Sequence, residues 1–227
     1  MMLIKTQIVK AGVLLIELNR PEKRNALNNA TLNAIADALQ EAEQNAEIRT
    51  VVLTGNTTCF AAGADLNELA ALDVVSIQQD PRPSLWKRID EFSKPLIMAV
   101  NGYAFGAGFE LALHADIVLC GDNAQFALPE ITLGMLPGAG GTQRLARLVG
   151  QQLTMRWAMT GTPISAQTAL QHGITSQICP KDLTVQYAIE LAEKIAKQAP
   201  LAIRVIKQSS KTVYEVSLSQ GLKLERQ

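Results

Sequence analysis

Glu110 and Glu130 each stand beside a glycine-rich turn. The first lies in NGYAFGAGFELAL (Asn101 to Leu113), the second in LPEITLGMLPGAGGTQRL (Leu128 to Leu145). A carboxylate just after a Gly-X-Gly turn at a helix start lies beside backbone N–H groups that have no intrahelical acceptor. Those donors favour a developing negative charge, and the carboxylate can move a proton next to it. Such a turn can also do no more than pack backbone tightly, with its glutamate in water. Two of them in one chain favour acid–base chemistry on an anionic intermediate.

Competing chemistries lack their residues. The glycine-rich stretches are AAGAD (Ala61 to Asp65), FGAGFE (Phe105 to Glu110) and PGAGGT (Pro137 to Thr142), and Leu111 and Gln143 occupy the third glycine positions of a dinucleotide GxGxxG. There is no GxxxxGK[ST], no GxSxG elbow, and no His/Cys/Asp cluster with zinc spacing. His114 and His172 are the two histidines, too few for a histidine metal site or triad, and both are expected to be structural or surface residues. What remains is a site of backbone donors and two carboxylates. Ala107, inside the Gly106–Gly108 turn, and Ala64, after Gly63, carry small side chains that let a ligand approach their amides. Two converging amides make an oxyanion hole. With two carboxylates they suit the enolate of a carbonyl compound, most readily a thioester; the hole alone would equally serve acyl transfer.

The elements that must position these groups are those of one α/β unit. The chain has 227 residues, 48% hydrophobic and 19% charged, with Lys plus Arg equal to Asp plus Glu at 21 each. No net field recruits nucleic acid or an anionic membrane. Cys59, Cys120 and Cys179 are scattered and odd in number, which fits reduced thiols in a cytoplasm. The N-terminal residues lack the pattern of an export signal, and no apolar run is long enough to span a bilayer. Leu3 to Val9 and Val13 to Leu18 predict paired strands around Lys10 to Gly12, and Thr31 to Gln44 predicts an amphipathic helix. Val51 to Thr54, Pro95 to Val100, Ile117 to Cys120 and Phe126 to Leu128 predict further strands. Leu72 to Pro83 reads as a loop that would suit a mobile lid or a plain surface connection. After Gly150 helices are expected at Thr154 to Met159, Ser165 to His172 (Ser165 as N-cap, Gly173 as the stop), Leu183 to Gln198 and Leu201 to Tyr214.

Taken together, LNRPEKRNAL (Leu18 to Leu27), CFAAGADLNEL, KPLIMAVNGYAFGAGFELAL, LPEITLGMLPGAGGTQRL and GTPISAQTALQHGITSQI (Gly161 to Ile178) resemble, in order, the enoyl-CoA hydratase/isomerase (crotonase) family over essentially the whole chain. The resemblance implies a spiral of ββα units over 1–199. It implies the start of a helical trimerisation region over 200–227, expected to continue further in this family, and a homotrimer or a hexamer built as a dimer of trimers. It places the family's catalytic acids on Glu110 and Glu130, the oxyanion amides on Ala64 and Ala107, and the amide holding the catalytic water on Gly138. It implies that the backbone around Ala62, Ala64, Asp65, Leu66 and Asn67, with Ala107, cradles coenzyme A, with Lys23 and Arg24 placed to meet its phosphates. Coenzyme A arrives as part of the substrate, so no separate cofactor and no metal are expected.

Members that only shift a double bond often lack one acid. Having both resembles a hydratase, with a general short-chain hydratase or a Δ3,Δ2-enoyl-CoA isomerase as the alternatives. A non-catalytic or RNA-binding member would need a lysine-rich helical face, whereas Thr31 to Gln44 carries Asp37, Glu41 and Glu43. Leu128 stands where many short-chain hydratases carry glutamine, which bears on substrate preference. A narrower likeness within the family, in FAAGADLNEL, DPRPSLWKRIDEFSKPLIMAVNGYA and LPEITLGMLPGAGG, is to hydratases of enoyl-CoA thioesters that end in a second carboxylate. It implies a cation at the far end of the acyl pocket, with Arg82, Lys87 and Arg88 in the right segment.

Overall fold

The computed structural model describes residues 2–71, 73 and 76–226. Among these, ten strands form two sheets. β1 (Ile4–Lys10) and β2 (Val13–Leu18) are the expected antiparallel hairpin. They are followed by β3 (Thr50–Thr54), β4 (Cys59–Ala61), β5 (Leu96–Val100), β6 (Tyr103–Phe105), β7 (Ile117–Gly121), β8 (Gln125–Ala127), β9 (Ile164–Ser165) and β10 (Gln177–Cys179). The larger sheet runs β1-β2-β3-β5-β7-β10, the smaller β4-β6-β8-β9. The pairs β3/β4, β5/β6 and β7/β8 each send their first strand to the larger sheet and their second to the smaller. Within each sheet, strands from successive pairs lie parallel. The chain thus advances as a spiral whose every turn adds one strand to both sheets, the ββα architecture the resemblance implied.

The helices are α1 (Asn29–Gln44), α2 (Leu66–Ala70), α3 (Arg82–Asp90), α4 (Ala107–Leu113), α5 (Gly141–Val149), α6 (Gln151–Thr160), α7 (Ala166–Gln171), α8 (Thr184–Ala196), α9 (Pro200–Lys211) and α10 (Leu218–Leu224). Asn28 starts α1 by accepting the Thr31 N–H, and Leu32, Ile35, Ala36, Leu39 and Ala42 bury one stripe of it. β3 and β5 are buried at every residue, as strands covered on both faces must be. One face of the larger sheet meets α1, on which α3 packs in turn, while α4 packs on β4 and β6 of the smaller sheet. The other face of the larger sheet meets α8, whose Ala188, Ala192 and Ala196 recur every four residues and pack against Val52, Ile97 and Leu119. Between the sheets, Phe109 of α4 meets Phe126 of β8 with centroids 5.2 Å apart, both rings fully buried. Truncating either to alanine would cost about 3–5 kcal/mol. This contact ties together the two segments that lead to Glu110 and Glu130.

Several elements differ from expectation. β4, β6 and α2 span only 3, 3 and 5 residues, too few for a periodic pattern to show. α5 begins on a glycine and hides in a glycine-rich run. The single helix expected over Leu201 to Tyr214 stops at Lys211 and passes through a 3-10 turn at Thr212–Tyr214. Ser217 then caps α10 in a reciprocal capping box with Gln220, so the chain restarts a helix there. Of the expected loop, Leu72, Val74 and Val75 lie outside the described residues. The rest holds a 3-10 turn at Ser76–Gln79 and the first turn of α3, which walls the cavity described below. α9 lies on the core through Arg204–Glu43 at 3.0 Å and Lys207–Asp116 at 2.7 Å. Among the described residues no helix is long and apolar enough to cross a membrane.

Candidate active site

Glu110 sits one turn into α4, 2% exposed. The chain enters α4 from β6 through Gly106, whose φ of +50° and ψ of −124° lie where side chains are strained. Two residues on, a Cβ at Gly108 would lie 2.2 Å from the Ala61 carbonyl oxygen, so only glycine lets α4 approach β4 this closely. The loop before α5 then closes over the carboxylate. The N–H groups of Ala139 and Gly141 donate to Glu110 Oε1 at 2.7 and 2.8 Å. Burial raises the Glu110 pKa above the ordinary carboxylate value. The amides of Gly141, Ala139 and Gly138 and the charge of Arg144 oppose that rise by favouring the anion.

Glu130 is the second residue of a 3-10 turn, Pro129–Leu133, that follows β8. Its Oε1 lies 3.0 Å from where a Cβ on Gly106 would stand, so the Glu110 turn and the Glu130 carboxylate are in direct apposition. Its Oε2 is buried without a hydrogen-bond partner. Burial, reinforced by the charge of Glu110, pushes the Glu130 carboxyl up to about 7, against a smaller opposing contribution from its own backbone N–H. Two carboxylates thus share a site in unlike surroundings.

The expected oxyanion donors border the same space. Ala107 is the first residue of α4, so its N–H has no intrahelical acceptor. Ala64 forms a parallel bridge with Leu27 in which Leu27 N–H donates to Gly63 and Asp65 N–H donates to Leu27. In such a bridge Ala64 turns its own N–H away from Leu27. The Gly63 Cα is 3.8 Å from the Cβ position of Gly106, which brings the two turns together. Ala64, Ala107, Gly138, Glu110 and Glu130 line one cavity of about 440 Å³.

The other sequence-predicted residues divide. Ala62 and Leu66 line this cavity too. The Asp65 carboxylate is occupied: it pairs with Arg20 at 3.1 Å and caps α2 through the Asn67 N–H at 3.3 Å, so its side chain braces the loop. Lys23 and Arg24 lie on an exposed turn outside the cavity lining, joined to it where the Arg24 carbonyl accepts the Ala62 N–H at 3.0 Å. Sequence reasoning did not single out Arg20 or Asn25. Asn25 is buried at φ +55° and donates to the Cys59 and Phe60 carbonyls, pinning that turn to β4. Asparagine tolerates this left-handed conformation better than most residues, which is the signal within LNRPEKRNAL that could have marked it.

Of the three candidate cations, Arg82 alone lines the cavity. Its Nε donates to both Asp80 oxygens at 2.7 and 3.0 Å, and its Nη2 is buried without a partner. Lys87 is exposed beside Glu91, and Arg88 is paired with Asp37 of α1.

Comparison with known proteins places the fold. Residues 9–227 match the enoyl-CoA hydratase/isomerase family, and the chain belongs to it. It is 53% identical over 215 residues to the 2,3-dehydroadipyl-CoA hydratase of Escherichia coli (strain K12), covering 95% of this chain and 84% of that protein. It is 44% identical over 212 residues to the mitochondrial enoyl-CoA hydratase of Pongo abelii, covering 93% and 73%. The crystal structure of the enoyl-CoA hydratase from Bacillus anthracis superposes with a TM-score of 0.94 at 36% identity, covering 99% and 88%.

Proposed function

We propose that the protein hydrates trans-2-enoyl-CoA thioesters, with Glu110 as general base and Glu130 as general acid. The observation that carries the assignment is the unlike setting of the two carboxylates. Glu110 Oε1 accepts two backbone N–H groups, which favour the anion a base requires, whereas Glu130 Oε2 is buried and unpartnered, which favours the protonated form an acid requires. Water held by Glu110 and the Gly138 amide attacks C3 as Glu110 takes its proton. The C2=C3 electron pair moves through C2 onto the thioester oxygen, held by the Ala64 and Ala107 amides. Glu130 then delivers its proton to C2, completing addition of one water to one face. Lys23 and Arg24, exposed on the turn whose Arg24 carbonyl accepts the Ala62 N–H, would meet the phosphates of coenzyme A.

The acyl group we assign ends in a second carboxylate, as in 2,3-dehydroadipyl-CoA of phenylacetate catabolism. The 53% identical relative and the cavity position of Arg82 support this reading. Exposed Leu201, Ile206, Val213, Tyr214 and Leu218 on α9, α10 and the turn between them support assembly into a trimer or hexamer. Three buried free cysteines support a reducing compartment, the cytoplasm. The test is hydration of a panel of 2-enoyl-CoA esters, followed by loss of the conjugated thioester absorbance. Double-bond shift in 3-enoyl-CoA without water addition would instead make the protein an isomerase.

A further inference from the structure

His114 caps the C-terminus of α4, one helical turn beyond Glu110, and is 5% exposed. Its Nε2 lies 3.2 Å from the Ala139 carbonyl oxygen. That oxygen can only accept, so Nε2 carries the proton. The N–H of the same residue, Ala139, donates to Glu110 Oε1 at 2.7 Å. One residue therefore joins the imidazole to the carboxylate, accepting from the one and donating to the other. The ring is packed on one face by Trp86 of α3, stacked at 5.2 Å and 18°, and Asp90 Oδ1 stands 3.5 Å from Nδ1, which makes no hydrogen bond. Asp90 in turn meets Arg144 of α5 at 3.0 Å and Lys211 of α9 at 3.3 Å. The Ala139 loop carries Gly138, Gly140 and Gly141, the residue type that gains most freedom when unanchored.

We propose that His114 is a positioning residue for the reaction: by donating to the Ala139 carbonyl it holds the residue whose own N–H, on the preceding peptide group, fixes Glu110. The inference rests on the reading of Glu110 as the base. Without the His114 donor the loop relaxes from Glu110. The carboxylate then loses hydrogen bonds that favour its anion, and its protonation moves to higher pH. Orientation of the attacking water suffers, while the cavity walls outside the Gly138–Gly141 loop stay in place.

The experiment compares wild type with His114→Phe, which keeps a ring on Trp86 but has no donor, and His114→Gln, which returns an amide donor to the same side. For each, kcat, KM, the pH profile of kcat and the melting temperature are measured on a 2-enoyl-CoA thioester. The expected result for His114→Phe is a kcat lower by about tenfold to a hundredfold, a KM little changed, and an acid limb displaced to higher pH, with His114→Gln recovering most of both. An unmoved acid limb and kcat in His114→Phe, or a lower melting temperature as the sole change, would overturn the inference. Glu110→Gln is the control: if it is inactive while His114→Phe behaves as wild type, this inference alone fails, and if it is active, the reading of Glu110 fails. Should His114→Phe not fold, nitrogen-15 NMR of the imidazoles with His172→Gln as background decides. A protonated Nε2 on His114 is expected, and a bare Nε2 would overturn the inference.

Discussion

The Gly141 N–H stands 2.8 Å from Glu110 Oε1, and a Cβ on Gly141 would lie 3.0 Å from that same oxygen. The donor to Glu110 thus comes from a residue at which any side chain would have to push its neighbours aside. Gly141→Ala would also press on Pro137 and Leu128, at 2.9 and 3.0 Å. It should lower kcat by about tenfold or more and destabilise by about 1–3 kcal/mol. Steady-state kinetics beside thermal melting test this; a wild-type kcat in a folded variant would remove the amide contact from the mechanism.

Ala107 opens α4 with its N–H free of intrahelical acceptors and its side chain beside the cavity. Ala107→Val adds two methyl groups where the thioester oxygen would pass in the proposed reaction. We expect a higher KM, a kcat lower by about a hundredfold, and a nearly unchanged melting temperature. An unaltered kcat/KM would exclude Ala107 from the oxyanion hole.

Glu130 also carries a stability signature. Its pKa rises from an ordinary 4.5 to about 7 on folding, so the folded state holds the proton more tightly. The stability this gives is fully present below about 4.5, falls as pH rises toward 7, and is gone above it. Glu130→Gln removes this loss. The variant should match wild type near pH 4.5 and be more stable at pH 8, by on the order of 1 kcal/mol in unfolding free energy once solvent screening of the exposed part of Glu130 is allowed for. Melting curves across that range test it, and a variant less stable than wild type at pH 8 would contradict the buried, unpartnered Oε2.

Much of the cavity could be read in the sequence because its parts are local. Glycine turns beside Glu110, Glu130, Ala64 and Ala107 mark backbone donors, and these converge where β4, β6 and α4 meet. What could not be read depends on contacts between distant segments. One such contact is the pairing of the Asp65 carboxylate with Arg20, 45 residues away, which no local pattern announces. Arg82, Lys87 and Arg88 are equivalent as letters. Only the packing of α3 on α1, with Arg88 taken by Asp37, leaves Arg82 facing the cavity. His114 looks like an ordinary core histidine because its partner, the Ala139 carbonyl, is backbone.

The Arg82 assignment predicts substrate preference. Asp80 holds the Nε of Arg82 but leaves its Nη2 without a partner. A substrate carboxylate would satisfy that group and a methyl terminus would not, a difference of about 1–3 kcal/mol or about ten- to a hundredfold in kcat/KM. The ratio of kcat/KM for 2,3-dehydroadipyl-CoA to that for crotonyl-CoA should therefore exceed ten in wild type. It should fall toward one in Arg82→Gln, whereas Lys87→Gln should leave it unchanged. Equal activity of the wild type on both substrates would return the enzyme to the general short-chain class.

The most direct measurement is hydration of its best 2-enoyl-CoA ester by Glu110→Gln and Glu130→Gln, each shown to fold by thermal melting. A glutamine keeps the shape of either side chain but cannot exchange the proton. Each variant should therefore lose about 10²–10⁴ in kcat, and wild-type turnover in either one would contradict the assignment of base and acid to this pair.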